Sequence, residues 1–516
     1  MSRRLVTSAM LAVLTAGALM PAISVHAADL AIGVAADPVS MDPANHRDRN
    51  AQSLLGNIYD GPFMRLPGAE RLPALLSGWV EVDPLTYDAT FRTDVKFHSG
   101  DTMTMEDVKF TFDRVLNENA LDGKTSARKG LAGPIVSTEI VGENTLRIKL
   151  SDPYPTLPAS LSSEGGIQIV NKSFVEAAGP GGLATTADGT GPFKLVSWSP
   201  GERVVLEKFA DYYGGPAEPP PVGPARLDTV TFRTIPDTSA RVAALLAGEI
   251  DIATEIPPFL RPQIEQSGIA DVVSVNGTRT FFVTLNNTKP PFNDIRVRQA
   301  ANHAIDRALI VDKVLEGTAS LVNGILSADS FAASELPAYA FDPELSKKLL
   351  AEAGFANGVD VVLDVQGPFK DIAEVIATQL TEVGIRATVQ VWEGSVITPI
   401  WADKTKRERD MYFGSWGSAG LDPNGIFPPM MRTDDRGNYS GFTNADVDRL
   451  VTAAMYNSNS EERAKQFQEA EAIVNKEAPL IFLWVPQDIY GVSKRVKDWQ
   501  PIPSSMIYMH RATVAE

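Results

Sequence analysis

Residues 361–392 leave the chain few folds to choose from. Two runs rich in β-branched residues, 361–365 and 387–392, flank a segment that carries Ile372, Val375, Ile376 and Leu380 along one helical stripe. Asp371 reads as the opening of that helix and Gly384 as its close. Strand, helix and strand joined this tightly pair in parallel through a right-handed crossover, with the helix laid on the sheet. A βαβ unit is therefore predicted. Just upstream, Asp342-Pro343 opens and Gly354 closes another helix, with Leu345, Leu349 and Leu350 on its apolar side.

A second region of the same kind lies earlier in the chain. Residues 230–235 read as a strand, Pro236-Asp237-Thr238 as a turn and cap, and 240–247 as a helix ending at Gly248, after which Glu249-Ile250-Asp251-Ile252 returns as a strand. Two α/β regions set apart along one chain predict two lobes. The stretch 65–178 differs. Residues 145–150 alternate apolar and polar, the pattern of a sheet with one wet face, and Thr104 caps a helix running through Val115. A smaller inserted subdomain is expected there. The Pro-rich residues 216–224 read as a surface loop. At 516 residues, about three structural units of ordinary size are expected.

The N-terminus has another character. Arg3 and Arg4 precede an apolar run from Leu5 to Met20, and Val25-His26-Ala27 places small residues where a signal peptidase reads. The run is shorter than the ~20 residues of a membrane span, and Pro21 follows it. Residues 1–27 are thus expected to be a cleaved export signal, by the Sec or the Tat route, with a periplasmic product. The chain has no cysteine, which excludes a lipidated anchor, disulfides and thiolate metal sites. Its formal net charge is -17. Nucleic acid is not an expected partner, because phosphate binding needs clustered Lys and Arg. The densest basic run, 404–409, is broken by Thr405 and Glu408 and reads as solvated surface.

Catalytic signatures are missing. No G-x-S-x-G, H-E-x-x-H, G-x-x-x-x-G-K-[ST] or G-x-G-x-x-G occurs, and His46, His98, His303 and His510 never share helical i, i+4 spacing. No catalytic residue, metal site or cofactor is expected, and His98 reads as a turn-stabilising residue. An exported hydrolase assembled from residues distant in sequence is the rival from another class.

Several segments read in order carry a family likeness. Asn57-Ile58-Tyr59-Asp60-Gly61, Val95-Lys96-Phe97-His98-Ser99-Gly100, Glu106-Asp107-Val108-Lys109-Phe110 and Asp188-Gly189-Thr190-Gly191-Pro192-Phe193-Lys194 resemble the signature run of family 5 extracellular solute-binding proteins. Leu246-Ala247-Gly248-Glu249-Ile250-Asp251, then Pro291-Phe292-Asn293-Asp294-Ile295-Arg296-Val297-Arg298-Gln299-Ala300 and Lys348-Leu349-Leu350-Ala351-Glu352-Ala353-Gly354 continue it. These are the dipeptide, oligopeptide, nickel and opine binding proteins of ABC importers. The motif residues themselves read as turns and caps.

The resemblance implies a two-lobed α/β binding protein, expected to be monomeric. Lobe I would comprise 28–276 and 487–516 with the subdomain 65–178 inserted, and lobe II would comprise 277–486. Crossings are expected near 276–286 and 484–490. Ligand would bridge the lobes and select their closed state, and ABC permease and ATPase subunits would be the partners.

The same resemblance points to ligand contacts. Peptide-binding relatives hold the ligand ammonium on an aspartate three positions after a lobe II tryptophan; the run Trp416-Gly417-Ser418-Ala419-Gly420-Leu421-Asp422-Pro423 puts Ala419 there. Asp422 is left as either structural or a partial substitute. The arginine that pairs with a dipeptide carboxylate corresponds to Gly367, near Phe369 and Lys370. A zwitterionic dipeptide is therefore disfavoured, since an unpaired buried charge costs ~2–5 kcal/mol. A modified or longer peptide, an opine-like conjugate or a sugar is expected instead. Trp416 and Trp392 are candidate walls or core residues, and Ser40, Met41 and Asp42 are expected on the facing wall.

Overall fold

The computed structural model describes residues 28–65, 71–162, 165–215, 223–418 and 420–515. The export signal at 1–27, residues 216–222 of the Pro-rich loop, and Ala419 lie outside the described residues.

One strand, Leu480–Ser493, runs through the middle of a 12-stranded sheet. Its first part pairs antiparallel with Arg279–Leu285 and Ala319–Leu321, and its second part with Ala270–Asn276 and Ile252–Ala253. Its sequence is apolar nearly throughout, as a strand buried on both faces requires.

On one side of it, Asp29–Val34 lies between the parallel strands Thr229–Thr234 and Ile252–Ala253. Asp237 caps the helix Thr238–Leu246 by accepting from the Ala240 amide, as its position after the strand suggested. On the other side, Val359–Gln366 lies between the parallel strands Ile385–Trp392 and Met411–Gly417. The βαβ unit is present. Its helix, Lys370–Glu382, departs from the sequence reading at one end: the cap position is Phe369, and Asp371 sits in the first turn. A single 3-10 turn, Gly367–Phe369, runs straight into the helix, so no side-chain cap is made. Asp342 does cap its helix, Pro343–Glu352, through the Leu345 amide.

The strands Leu76–Asp83, Thr86–Phe91, Thr145–Leu150 and Ile135–Gly142 form a separate four-stranded antiparallel sheet. Leu146, Ile148 and Leu150 point into its core together with Val108, Phe112 and Val115 of the helix Met105–Leu116. Thr104 and Asp107 close a capping box at the start of that helix.

Three of the signature segments meet in one knot. The Ile58 carbonyl accepts from the Gly191 amide and the Asn57 carbonyl from the Phe193 amide, while the His98 amide donates to the Gly189 carbonyl. A side chain at Gly189 would meet the Ile58 carbonyl oxygen at 2.1 Å, so only glycine fits. These residues hold strands together.

The run 404–409 lies largely at the surface, as expected, with Thr405, Lys406 and Glu408 exposed, but its last residue departs from that. Arg409 turns inward and pairs through two nitrogens, at 2.7 and 2.6 Å, with Asp364, whose side chain is fully buried. Trp392 and Trp401 donate their indole N–H groups to the same carboxylate at 2.8 and 3.0 Å. A carboxylate on a core strand needs such donors, since burying it bare would cost several kcal/mol. Asp364→Ala would strand Arg409 and both indoles; it is expected to lower the unfolding free energy by about 3–5 kcal/mol in urea denaturation.

Candidate functional site

A cleft of about 650 Å³ lies between 65–178 and the far half of the large sheet. Arg71, Leu131, Tyr154, Thr156, Ala159 and Ser160 form one wall, all from within 65–178. The other wall comes from the far half of the sheet: Arg279 at the start of its strand, Gln366 at the end of Val359–Gln366, and Ser415, Trp416 and Gly417 at the end of Met411–Gly417. Tyr412, Ser418, Asp422, Asn424, Arg436 and Tyr439 complete it. The carboxyl ends of parallel strands, where crossovers leave in opposite directions, open a crevice by geometry alone. A second, smaller cavity of about 50 Å³ sits at the matching ends of the other parallel set, lined by Val34, Arg49, Thr254, Glu255 and Ser505.

Trp416 lines the cleft with Gly417, Ser418 and Asp422, so those expected residues do come together. The Trp416 ring is fixed by its N–H donating to the Gly425 carbonyl at 3.0 Å, with its edge packed against the core that holds Phe427 and Phe467. Gly417 is paired with Arg279 across the ladder, and a Cβ there would meet the Thr278 carbonyl oxygen at 2.5 Å. That close approach is what seats Arg279 on the wall.

Asp422 is already engaged. Arg463 grips it through two nitrogens at 2.6 and 2.9 Å, and it also accepts from the Asn424 amide at 2.9 Å. Arg463 is itself held between the rings of Phe331 and Phe467. The structure therefore gives Asp422 the structural role.

The remaining expected residues stand elsewhere. Met41 is buried in the core, the Ser40 hydroxyl accepts from the Asp42 amide, and Asp42 is paired with Arg114 at 2.8 Å and accepts from the Ala44 amide. Their polar groups are consumed by folding the loop, and none lines the cleft. Phe369 packs edge-on against Phe281 at 5.5 Å, both half-buried against the hydrophobic core of the far half. Trp392 belongs to the Asp364 cluster, with Arg409 over its ring at 4.8 Å. Gly367 faces open space beside Gln366, and Lys370 pairs with Glu374 at 3.3 Å.

Sequence reasoning passed over the arginines. Arg279 is the one charged residue in the expected crossing 276–286, a signal that could have found it. Its Nε and Nη2 donate to Ser415 at 3.0–3.2 Å. Partial desolvation lowers its pKa, and the positive charge of Arg49 adds to the effect. Arg436 lies over the Trp416 ring at 4.8 Å. The Asn424 carboxamide is buried with neither its nitrogen nor its oxygen bonded among the described residues. His98, by contrast, is spent on the Gly191 carbonyl, and burial lowers its pKa to about 4. No histidine lines the cleft among the described residues.

The sequence pattern described as bacterial extracellular solute-binding proteins, family 5 Middle, matches residues 70–438. Heme-binding protein A of Haemophilus influenzae is 29% identical over 463 residues, covering 84% of this chain and 82% of that protein. Glutathione-binding protein GsiB of Salmonella choleraesuis is 25% identical over 499 residues, covering 95% of this chain and 94% of that protein. The structure of HbpA2 from Haemophilus parasuis matches with a TM-score of 0.87 at 24% identity, over 95% of this chain and 100% of that one.

The Asp422 and Arg463 pair predicts a stability effect. Asp422→Asn and Arg463→Met are each expected to cost about 2–3 kcal/mol in chemical denaturation. The double variant should fall well short of their sum, which a double-mutant cycle reads directly.

Proposed function

Because the chain belongs to the bacterial extracellular solute-binding proteins of family 5, we propose that it is the capture subunit of an ABC uptake transporter. It binds a small polar solute between two lobes and hands it unchanged to the permease. The observation that carries this reading is the cleft of about 650 Å³, one wall of which comes from 65–178 and the other from strand ends of the far half of the large sheet. A ligand touching both walls favours the closed arrangement, because only that state makes both sets of contacts.

In this reading lobe I is 28–276 with 487–516, lobe II is 277–486, and 65–178 is the insertion that supplies the first wall. Residues 1–27 direct export to the periplasm, where the protein acts as a monomer. Among the described residues no helix is long and apolar enough to cross a membrane.

The solute is something other than a simple dipeptide. Gly367 offers no cation, Lys370 is committed to Glu374, and Asp422 is committed to Arg463. Relatives named for binding heme and glutathione support a larger ligand.

Thermal-shift screening and calorimetry test the proposal with dipeptides, glutathione, heme, sugars, opines and nickel salts. A ligand at 100 times its dissociation constant is expected to add about 2.7 kcal/mol of stability and to be recovered chemically intact. Strong stabilisation by simple dipeptides alone would overturn the ligand reading. Turnover of any compound would overturn the capture reading.

A further inference from the structure

The charge of the cleft runs opposite to the charge of the chain. Asp and Glu outnumber Lys and Arg by 64 to 47 over the whole sequence. Yet among the described residues the ionised side chains of the cleft lining are Arg279, Arg436 and Arg71, the last already engaged in an interaction of its own, against Asp422. Asp422 is neutralised by Arg463, which pairs with it at 2.6 Å. The lining thus presents positive charge in an acidic protein.

Two of these guanidinium groups are positioned without being satisfied. Arg279 spends Nε and Nη2 on Ser415, which leaves its Nη1 end with no hydrogen bond among the described residues. Arg436 is held over Trp416 by its face and makes no hydrogen bond or ion pair among the described residues. A stacked guanidinium keeps its N–H donors at its rim, where they suit the two oxygens of a carboxylate. Arg49, near the crossing, adds further positive charge close to Arg279. Beside them Asn424 presents a buried carboxamide with neither end bonded among the described residues, able to donate to one ligand oxygen and accept from a ligand N–H or O–H.

We infer that the cleft takes an anionic solute carrying at least two carboxylates, with Arg279 and Arg436 as its charge partners and Asn424 as a neutral contact. This rests on the capture reading above and specifies its ligand class. An ammonium group on the solute gains little from Asp422, the lining carboxylate among the described residues, because Asp422 already has its cation. A monocarboxylate would leave one guanidinium without a charge partner, and a neutral sugar would leave both. Rigid side-chain positions, with Arg279 fixed by Ser415 and Arg436 by Trp416, reduce the ordering cost on binding.

Calorimetry over paired probes tests it. Glutathione, citrate and the peptide Glu-Ala-Glu are compared with their amides, alongside neutral sugars and cationic peptides. The tightest binder should be carboxylate-rich, at least about 30-fold tighter than its amide, and weakened at least about 30-fold by Arg279→Gln and by Arg436→Gln. Arg436→Lys, which keeps the charge, should lose less than Arg436→Gln, and unchanged melting temperatures of the free variants exclude misfolding. A tightest binder that is neutral or cationic, or one indifferent to both glutamine variants, overturns the inference while leaving solute capture standing. If no probe of any charge binds, the capture reading falls and takes this inference with it.

Discussion

The strand Leu480–Ser493 is the constraint on which the rest of the molecule depends. Over its 14 residues, which span ~45 Å when extended, it pairs first with the strands of one half and then with those of the other. Neither half can leave without breaking a backbone ladder. The ladder is least regular at the changeover. Pro486 has no N–H to give, Gly277 donates to the Pro486 carbonyl, and the pairing of the neighbouring strand shifts register at Phe281 and Phe282. Regular pairing above and below, with irregular pairing between, lets two rigid halves share one strand and still bend relative to each other.

The cleft follows from that arrangement. Each half places a parallel strand between two parallel neighbours, Asp29–Val34 in one and Val359–Gln366 in the other, so each opens a crevice at its carboxyl edge. The segments before and after the small antiparallel sheet line the second crevice and supply Arg71, Tyr154 and Ser160. Loop carboxylates are paired off with arginines of neighbouring helices, Asp42 with Arg114 and Asp422 with Arg463. What is left facing the cleft is arginine, aromatic surface and amide.

Local order was the part legible in the sequence. The βαβ unit at 359–392 and the alternation at 145–150 depend on periodicity within a few residues, and the caps at Asp342 and Thr104 depend on a single turn. Asp371 misled because the turn before its helix is already helical, which only the adjoining strand end dictates. Within the otherwise surface run 404–409, Arg409 misled for a longer-range reason: Asp364 lies 45 residues earlier and pulls it inward. Trp416 was found through its motif, whereas Ser40 to Asp42 were chosen because loops often carry function and proved to be holding themselves together. Arg279 and Arg436 are far apart in sequence and unremarkable in composition. Their shared wall exists only once Met411–Gly417 pairs with Arg279–Leu285.

Small-angle scattering on the mature protein, titrated with the ligand that calorimetry identifies, tests the central claim that two halves on one shared strand close around a solute. The radius of gyration should fall in step with occupancy and level off at saturation. A radius that stays constant while the binding heat saturates would contradict the account, since the walls would then be holding the ligand without moving.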